Sequence, residues 1–187
     1  MQRQLPPAKI GGTPGWFQKW FLYGLFPYPG RLRFALFPAR VLQATGLDRL
    51  VDRLGLPRLL PGPLKRMWKQ LPRLQRKGAR LPAVLPAIGP RRARVALFTG
   101  CVSEAMFSET NRATARVLQA NGCEVVVPRG QVCCGALHYH TGAGEPALRL
   151  ARQNAEAFLA DDIDAVIINV AGCGSTLKDY GHMVHEL

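Results

Sequence analysis

The chain has 187 residues, 48% of them hydrophobic and 20% charged, with a formal net charge of +13 and five cysteines. That length holds one ordinary domain plus a sizeable extra segment. No run of about 18 uncharged apolar residues offers a membrane-spanning helix, and the N-terminus lacks the basic-then-apolar pattern of a signal peptide. An odd number of cysteines, mostly in one half, does not suit a secreted disulfide framework, so a reducing cytoplasmic setting is expected.

The charge is divided unevenly. Residues 1–93 carry 18 Lys and Arg against Asp48 and Asp52, a net of +16, whereas residues 94–187 carry a net of −3. Such an imbalance suits nucleic acid, an anionic membrane surface or an acidic partner protein. No RNA- or DNA-binding motif accompanies the basic residues, and many follow helical spacing as a solvated face, so nucleic acid is not an expected partner.

In chain order, Thr13-Pro14 reads as a helix start. The helix it opens carries Trp16, Phe17, Trp20, Phe21 and the run Tyr23 to Phe26, and stops at Pro27. A second helix is predicted from Gly30 to Thr45, bent or interrupted at Pro38. A third runs from Leu47 to Leu54 and ends at Gly55, and a short fourth covers Pro63 to Leu71. Residues 72–90, rich in Pro, Arg and Ala, read as an extended connector. This first half is poor in β-branched residues and has no sheet of its own. Its aromatic and leucine faces need a surface, either the following domain, a partner subunit or membrane headgroups.

From residue 94 the pattern changes. Arg94 to Phe98, Glu124 to Val127 and Ala165 to Val170 are apolar runs that read as buried strands. Between them lie helical patterns. One starts at Ser108, carries Thr110, Ala113, Val117 and Leu118 on one face and ends at Asn121-Gly122. The other starts at Pro146 with Leu148, Ala151, Ala155, Phe158 and Leu159, and a last short helix runs through Tyr180. Asp161, Asp162 and Asp164 form an acidic turn before the third strand. The expected fold is α/β: a small parallel sheet with flanking helices over residues 94–187, preceded by an irregular, mostly helical Pro/Arg-rich arm.

Cys101, the vicinal pair Cys133-Cys134 and Cys173 each fall just beyond one of these strands. In a parallel sheet the loops at the carboxyl ends of the strands line one crevice, so the four thiols should converge there. The 31 residues between Cys101 and Cys133, and the 38 between Cys134 and Cys173, are too long for a zinc knuckle. Folding must therefore close the site. Gly100, Gly135, Gly172 and Gly174 adjoin these cysteines and would let backbone N–H groups approach sulfur. Helix N-termini after Cys101 and Cys173 would favour the thiolate. Cys123 reads as a small buried apolar residue instead. A metal centre accounts for the constellation, with an iron–sulfur cluster the leading form. A Cys/His zinc site drawing on His138 or His140 competes with it, and so does a vicinal disulfide. Lys178 and Tyr180, about one turn beyond Cys173, could screen the charge of a thiolate cluster. TGAGEP does not follow a strand as a phosphate loop should, and no Ser–His–acid spacing is present, so no catalytic residues are expected.

The runs TGCV (99–102), QVCCGALHYHTG (131–142) and NVAGCGSTLKDYG (169–181) resemble the cysteine-rich CCG domain of glycolate oxidase iron–sulfur subunits. The wider family includes lactate-utilisation iron–sulfur proteins and the B subunit of heterodisulfide reductase. The resemblance covers about residues 94–182, and the helices before it look like the connector of those subunits. It implies that Cys101, Cys133, Cys134 and Cys173 are cluster ligands. His138, His140 and Lys178 are auxiliary candidates by their position near these cysteines, and the expected cofactor is an iron–sulfur cluster of the [4Fe–4S] type, with zinc as the alternative. In the heterodisulfide reductase branch a second cysteine follows at the place of Thr176, so four thiolates are left here. The resemblance further implies a non-catalytic electron-transfer subunit, which takes electrons from a flavoprotein subunit oxidising a 2-hydroxy acid and passes them toward the quinone pool. It also implies a cytoplasmic chain, peripheral on the inner membrane face. The alternatives are a zinc-binding or cluster-free interaction module, or a vicinal-dithiol protein of the disulfide-reductase kind. No ferredoxin-like cysteine run and no second CCG repeat are present, so the sequence is expected to be a fragment or split gene product, with an arm at 1–93 and one CCG repeat at 94–187.

Overall fold

A computed structural model describes residues 15–16, 18–74, 80–159 and 162–186. The expected helix start at Thr13-Pro14, Phe17 of the aromatic helix and Asp161 of the acidic turn lie outside these residues.

The aromatic segment forms a π-helical turn over Gln18–Tyr23, with an i→i+5 hydrogen bond from the Phe26 N–H to the Phe21 carbonyl. Helix α1 spans Pro29–Ala35 and α2 spans Phe37–Thr45; the break falls at Leu36, because Pro38 sits in the first turn of α2. Helix α3 is Leu47–Arg53, followed by a 3₁₀ turn at Leu56–Leu59 and by α4 at Gly62–Gln70. The Trp68 indole N–H donates to Asp52, and Arg73 pairs with Asp48 at 2.7 Å, which folds α4 and the chain after it back on α2 and α3.

Strand β1 (Val84–Leu85) was not expected. It lies inside the connector and pairs antiparallel with β3, Val84 opposite Val126 and Leu85 opposite Val125. Pro82 and Pro86 flank it and cannot donate to a ladder, which keeps the pairing to two residues at the edge. The connector is also held by Gln119, whose side-chain amide donates to the Pro86 carbonyl at 2.7 Å.

The remaining elements are β2 (Ala93–Phe98), α5 (Cys101–Met106), α6 (Ser108–Ala120), β3 (Cys123–Val126), α7 (Ala136–His140), α8 (Gly144–Leu159), β4 (Ala165–Ile168), α9 (Ala171–Lys178) and α10 (Tyr180–Glu186). The sheet order is β1-β3-β2-β4. The three strands expected from sequence are parallel to one another, and β1 adds an antiparallel member, so the sheet is mixed.

Strand β2 is central and buried on both faces, which is why it reads as an unbroken apolar run. Its alternate side chains divide the core. Val95 and Leu97 pack with Ala115, Val125 and Val127 on the α6 side, with Cys123 beside them. Ala96 and Phe98 pack with Phe158, Cys101, Cys133 and Cys134 on the other side, with Leu177 of α9 and Cys173 beside them. The sheet thus lies between two helical layers. Leu97 is fully enclosed, so Leu97→Ala should lower the unfolding free energy by about 2–5 kcal/mol in a denaturant titration.

Two helix faces differ from expectation. Ser108 is the first residue of α6 and makes no capping bond, and the buried positions of that helix are Ser108, Asn111 and Ala115 rather than Thr110 and Val117. On α8 the inward row runs through Ala147, Leu148, Ala151, Asn154 and Phe158, leaving Leu159 exposed. In both cases a buried asparagine lies in the row, and a stripe drawn through apolar residues alone passes beside it.

No described helix is long and apolar enough to cross a membrane.

Candidate metal centre

The four cysteines singled out from sequence come together, on one side of the sheet. Cys101 is the first residue of α5, Cys133 and Cys134 lie in the loop before α7, and Cys173 is the third residue of α9. All are free thiols. Cys101, Cys133 and Cys134 are 8%, 2% and 3% exposed, whereas Cys173 is half-buried. The sulfurs form two close pairs, Cys101 with Cys133 at 3.5 Å and Cys134 with Cys173 at 3.3 Å. Each pair joins different loops, so neither is the vicinal pair. Cys123 sits in β3 across the sheet from them.

Glycine makes the turns that present these sulfurs. Gly100 (φ +68) and Gly135 (φ +85) adopt the left-handed backbone region open chiefly to glycine. At Gly135 a Cβ would also come within 3.2 Å of the Ala147 carbonyl oxygen of α8. The chain leaving Cys134 therefore passes against α8 only because no side chain intervenes.

Three amide side chains hold the cysteine loops, two by joining one loop to another and one by anchoring the vicinal pair. Gln131, two residues before Cys133, accepts from the Thr99 N–H at 2.8 Å and donates to the Leu97 carbonyl at 3.2 Å, joining the first and second loops. Asn111 donates to the Thr99 carbonyl at 2.9 Å and accepts from Asn169 at 2.8 Å, joining the first and third. Asn154, fully buried, accepts from the Val132 N–H at 2.8 Å and donates to the Cys133 carbonyl at 3.0 Å. The Tyr180 hydroxyl donates to the Cys134 carbonyl at 3.0 Å and accepts from Asn154. Tyr180 thus acts on the backbone of the vicinal pair instead of screening charge. None of Gln131, Asn111 and Asn154 was singled out from sequence. The signal for the two asparagines was a polar residue at helical spacing within an apolar row.

The sulfurs are electrostatically unlike. Hydrogen bonds from the Cys133 and Cys173 thiols hold Cys134 down to about 3, against the burial that pushes it up, and the Ala136 backbone N–H adds to the lowering. Cys101 is lowered chiefly by its contact with Cys133, and the Val102 N–H at the start of α5 helps. Cys133 is raised by its hydrogen bonds to Cys101 and Cys134 and by burial. Cys173 is raised by Cys134 and by burial, so the expected thiolate preference holds for Cys101 and fails for Cys173.

The auxiliary candidates separate. His138 is buried on α7, stacked on Tyr23 with ring centroids 4.4 Å apart, and burial lowers its pKa. His140 and Lys178 are exposed, His140 lying edge-on to Tyr139. Among the described residues no three His, Cys, Asp or Glu side chains close around one point as a single-ion site. Zinc held in a Cys/His tetrahedron therefore has no geometric support. Four thiols from three loops, with the Val102, Gly135 and Ala136 N–H groups directed at sulfur, are instead a donor set for a soft, thiolate-held centre.

The pairing also sets the oxidation chemistry of the metal-free chain. Exposure to a low-molecular-weight disulfide should join Cys101 to Cys133 and Cys134 to Cys173, as read by tandem mass spectrometry of unreduced peptides. A dominant Cys133–Cys134 product would contradict the geometry.

Residues 95–178 match the family model described as a cysteine-rich domain, CCG. The fold that gathers the four sulfurs is thus a CCG domain. Residues 13–71 match the linker region of the glycolate oxidase iron–sulfur subunit, and with the two in this order the chain belongs to the glycolate oxidase iron–sulfur subunit family, as the TGCV, QVCCGALHYHTG and NVAGCGSTLKDYG runs had indicated. It is 42% identical over 171 residues to the probable glycolate oxidase iron–sulfur subunit of Bacillus subtilis, covering 90% of this chain and 38% of that one. It is 34% identical to the glycolate oxidase iron–sulfur subunit of Escherichia coli over 79% of this chain and 37% of that one. Over 95 residues it is 43% identical to an uncharacterized iron–sulfur protein of Methanocaldococcus jannaschii, covering 50% of this chain and 19% of that one. The chain therefore spans well under half the length of these relatives. No solved structure matches it significantly.

Proposed function

We propose that this chain is an iron–sulfur electron-transfer component of a glycolate oxidase-type complex, holding a [4Fe–4S] cluster on Cys101, Cys133, Cys134 and Cys173. The observation that carries the reading is the gathering of four thiols from three separate loops into one buried site on a single side of the sheet. When bound, such a centre supplies one-electron transfer, while bond chemistry on the substrate belongs elsewhere. The chain's own residues supply the sulfur ligands, hold their loops through Gln131, Asn111, Asn154 and Tyr180, and direct backbone N–H groups at sulfur to tune the potential. The apolar surroundings of Phe98, Phe158 and Leu177 keep water from three of the four sulfurs.

In this reading electrons arrive from a flavoprotein subunit that oxidises a 2-hydroxy acid and leave toward the quinone pool. The chain works on the cytoplasmic side. Its basic first half, with Trp16, Trp20, Phe34 and Phe37 exposed, suits partner subunits or an anionic membrane face. The arm at 1–93 and the single CCG repeat at 94–187 act as the two parts of this component.

Anaerobic reconstitution with iron and sulfide, followed by quantitation of iron, acid-labile sulfide and zinc, tests the assignment. Iron with matching sulfide and a reducible visible chromophore is expected. Stoichiometric zinc, or no metal with a titratable dithiol, would overturn it.

A further inference from the structure

Among the described residues the linker contacts the cysteine domain through Tyr23 and through Arg33 with Arg40, and each of these contacts lies on a short helix that begins at or beside a cysteine. The Tyr23 ring stacks on His138 at 4.4 Å and 17°, and its hydroxyl lies 2.6 Å from the Thr141 hydroxyl. His138 belongs to α7 and Thr141 caps its end, and α7 starts two residues after Cys134. The second contact is on α5, whose first residue is Cys101. The Arg33 guanidinium of α1 donates to the Glu104 carboxylate at 2.7 Å and to the Glu104 carbonyl at 2.8 Å, and Arg40 of α2 donates to the Ala105 carbonyl at 2.6 Å. The other Glu104 carboxylate oxygen accepts from Asn111, which also grips the Thr99 carbonyl just before Cys101.

Helices α5 and α7 have six and five residues. Pieces so short have little stability of their own and hold their shape only by what packs on them. Guanidinium groups on the last carbonyls of α5 satisfy acceptors that no intrahelical donor reaches, at the end of the helix where positive charge is favourable.

We infer that the linker is a working part of the sulfur site, with Tyr23 and Arg33 as positioning residues that fix α7 and α5 and, through them, the sulfurs of Cys134 and Cys101. This deepens the electron-transfer reading and rests on it for its metal-bound arm alone. A linker that served only as a spacer between modules would need neither contact. The arrangement makes the site a joint product of both segments, so displacement of the linker loosens the sulfur ligands.

The test uses the full chain with Tyr23→Ala, Tyr23→Phe, Arg33→Ala and Arg33→Lys, and Met67→Ala on the exposed linker surface as control. Two rates are measured: iron release from the reconstituted protein to a ferrous chelator, and reaction of the metal-free thiols with an aromatic disulfide reagent. Far-UV circular dichroism is followed beside them. Tyr23→Ala and Arg33→Ala should each raise both rates about tenfold or more, with helix content retained. Tyr23→Phe keeps the stack and Arg33→Lys keeps the charge, so both should fall between the alanine variant and the unchanged chain, and Met67→Ala should match the unchanged chain. Unaltered thiol rates in both alanine variants, or equal acceleration by Met67→Ala, would overturn the inference. Should an alanine variant lose its helix signal, Tyr23→Phe and Arg33→Lys decide, and thiol rates equal to the unchanged chain in both would overturn it. If the unchanged chain binds no iron, the electron-transfer reading fails, while the metal-free thiol rates still decide the role of the linker.

Discussion

Cys134→Ser should abolish the metal centre while leaving the fold in place. The Cys134 sulfur lies 3.3 Å from that of Cys173 and is also hydrogen-bonded by the Cys133 thiol, so it links the half-buried Cys173 to the buried sulfurs. A serine hydroxyl is close in size and fits the space, but it stays protonated at neutral pH and is a poor ligand for soft metals. Iron per chain after anaerobic reconstitution should fall to near background, with the visible chromophore lost. The fold should survive because the bonds that hold this position, from Tyr180 to the Cys134 carbonyl and from Asn154 to the Cys133 carbonyl, are made to backbone. Cys123→Ser, across the sheet, should keep iron content within error of the unchanged chain. Retention of full iron content by Cys134→Ser would remove this residue from the ligand set.

Asn154→Ala should be costly to the protein as a whole. Its side chain satisfies the Val132 N–H, the Cys133 carbonyl and the Tyr180 hydroxyl inside a fully buried environment. Truncation leaves those groups without their partner, and each buried unsatisfied group costs about 1–3 kcal/mol. A net loss of about 2–4 kcal/mol in chemical denaturation of the metal-free chain is expected. Iron content of the protein that remains folded at low temperature should fall as well, since the backbone of the vicinal cysteines loses its anchor. A stability change below about 1 kcal/mol would mean that water replaces the amide at no great cost.

What could be read from the sequence follows from burial. Strand β2 was legible because a parallel strand covered on both faces shows as a continuous apolar run, as in RVALF. Strands β3 and β4 carry similar runs, although β4 lies at the sheet edge with Ala165 and Val166 exposed rather than buried. The four cysteines were legible because each follows such a run. Helices α5 and α7 were not, since six and five residues are too few to display a 3.6-residue period. Strand β1 was hidden between Pro82 and Pro86, where proline signals an irregular connector. The pairing of sulfurs across loops was also out of reach. Adjacency in sequence draws attention to Cys133 with Cys134, whereas the turns at Gly100 and Gly135 and the amide ties of Gln131, Asn111 and Asn154 decide which sulfurs meet. Those amides are polar groups that bind loops distant in sequence, and a pattern local to one helix does not reveal such partners. The contacts of Tyr23 and Arg33 with α7 and α5 were hidden for the same reason.

The placement of Cys123 gives the protein an internal reference thiol. The sheet stands as a partition between it and the other four, so reagents or metals acting at the centre leave its environment unchanged. Thiol counts on the native chain should therefore divide as four and one, with the single sulfur reacting at its own constant rate whether or not the four are engaged. Each preparation thus carries its own calibration of how completely the centre has been filled.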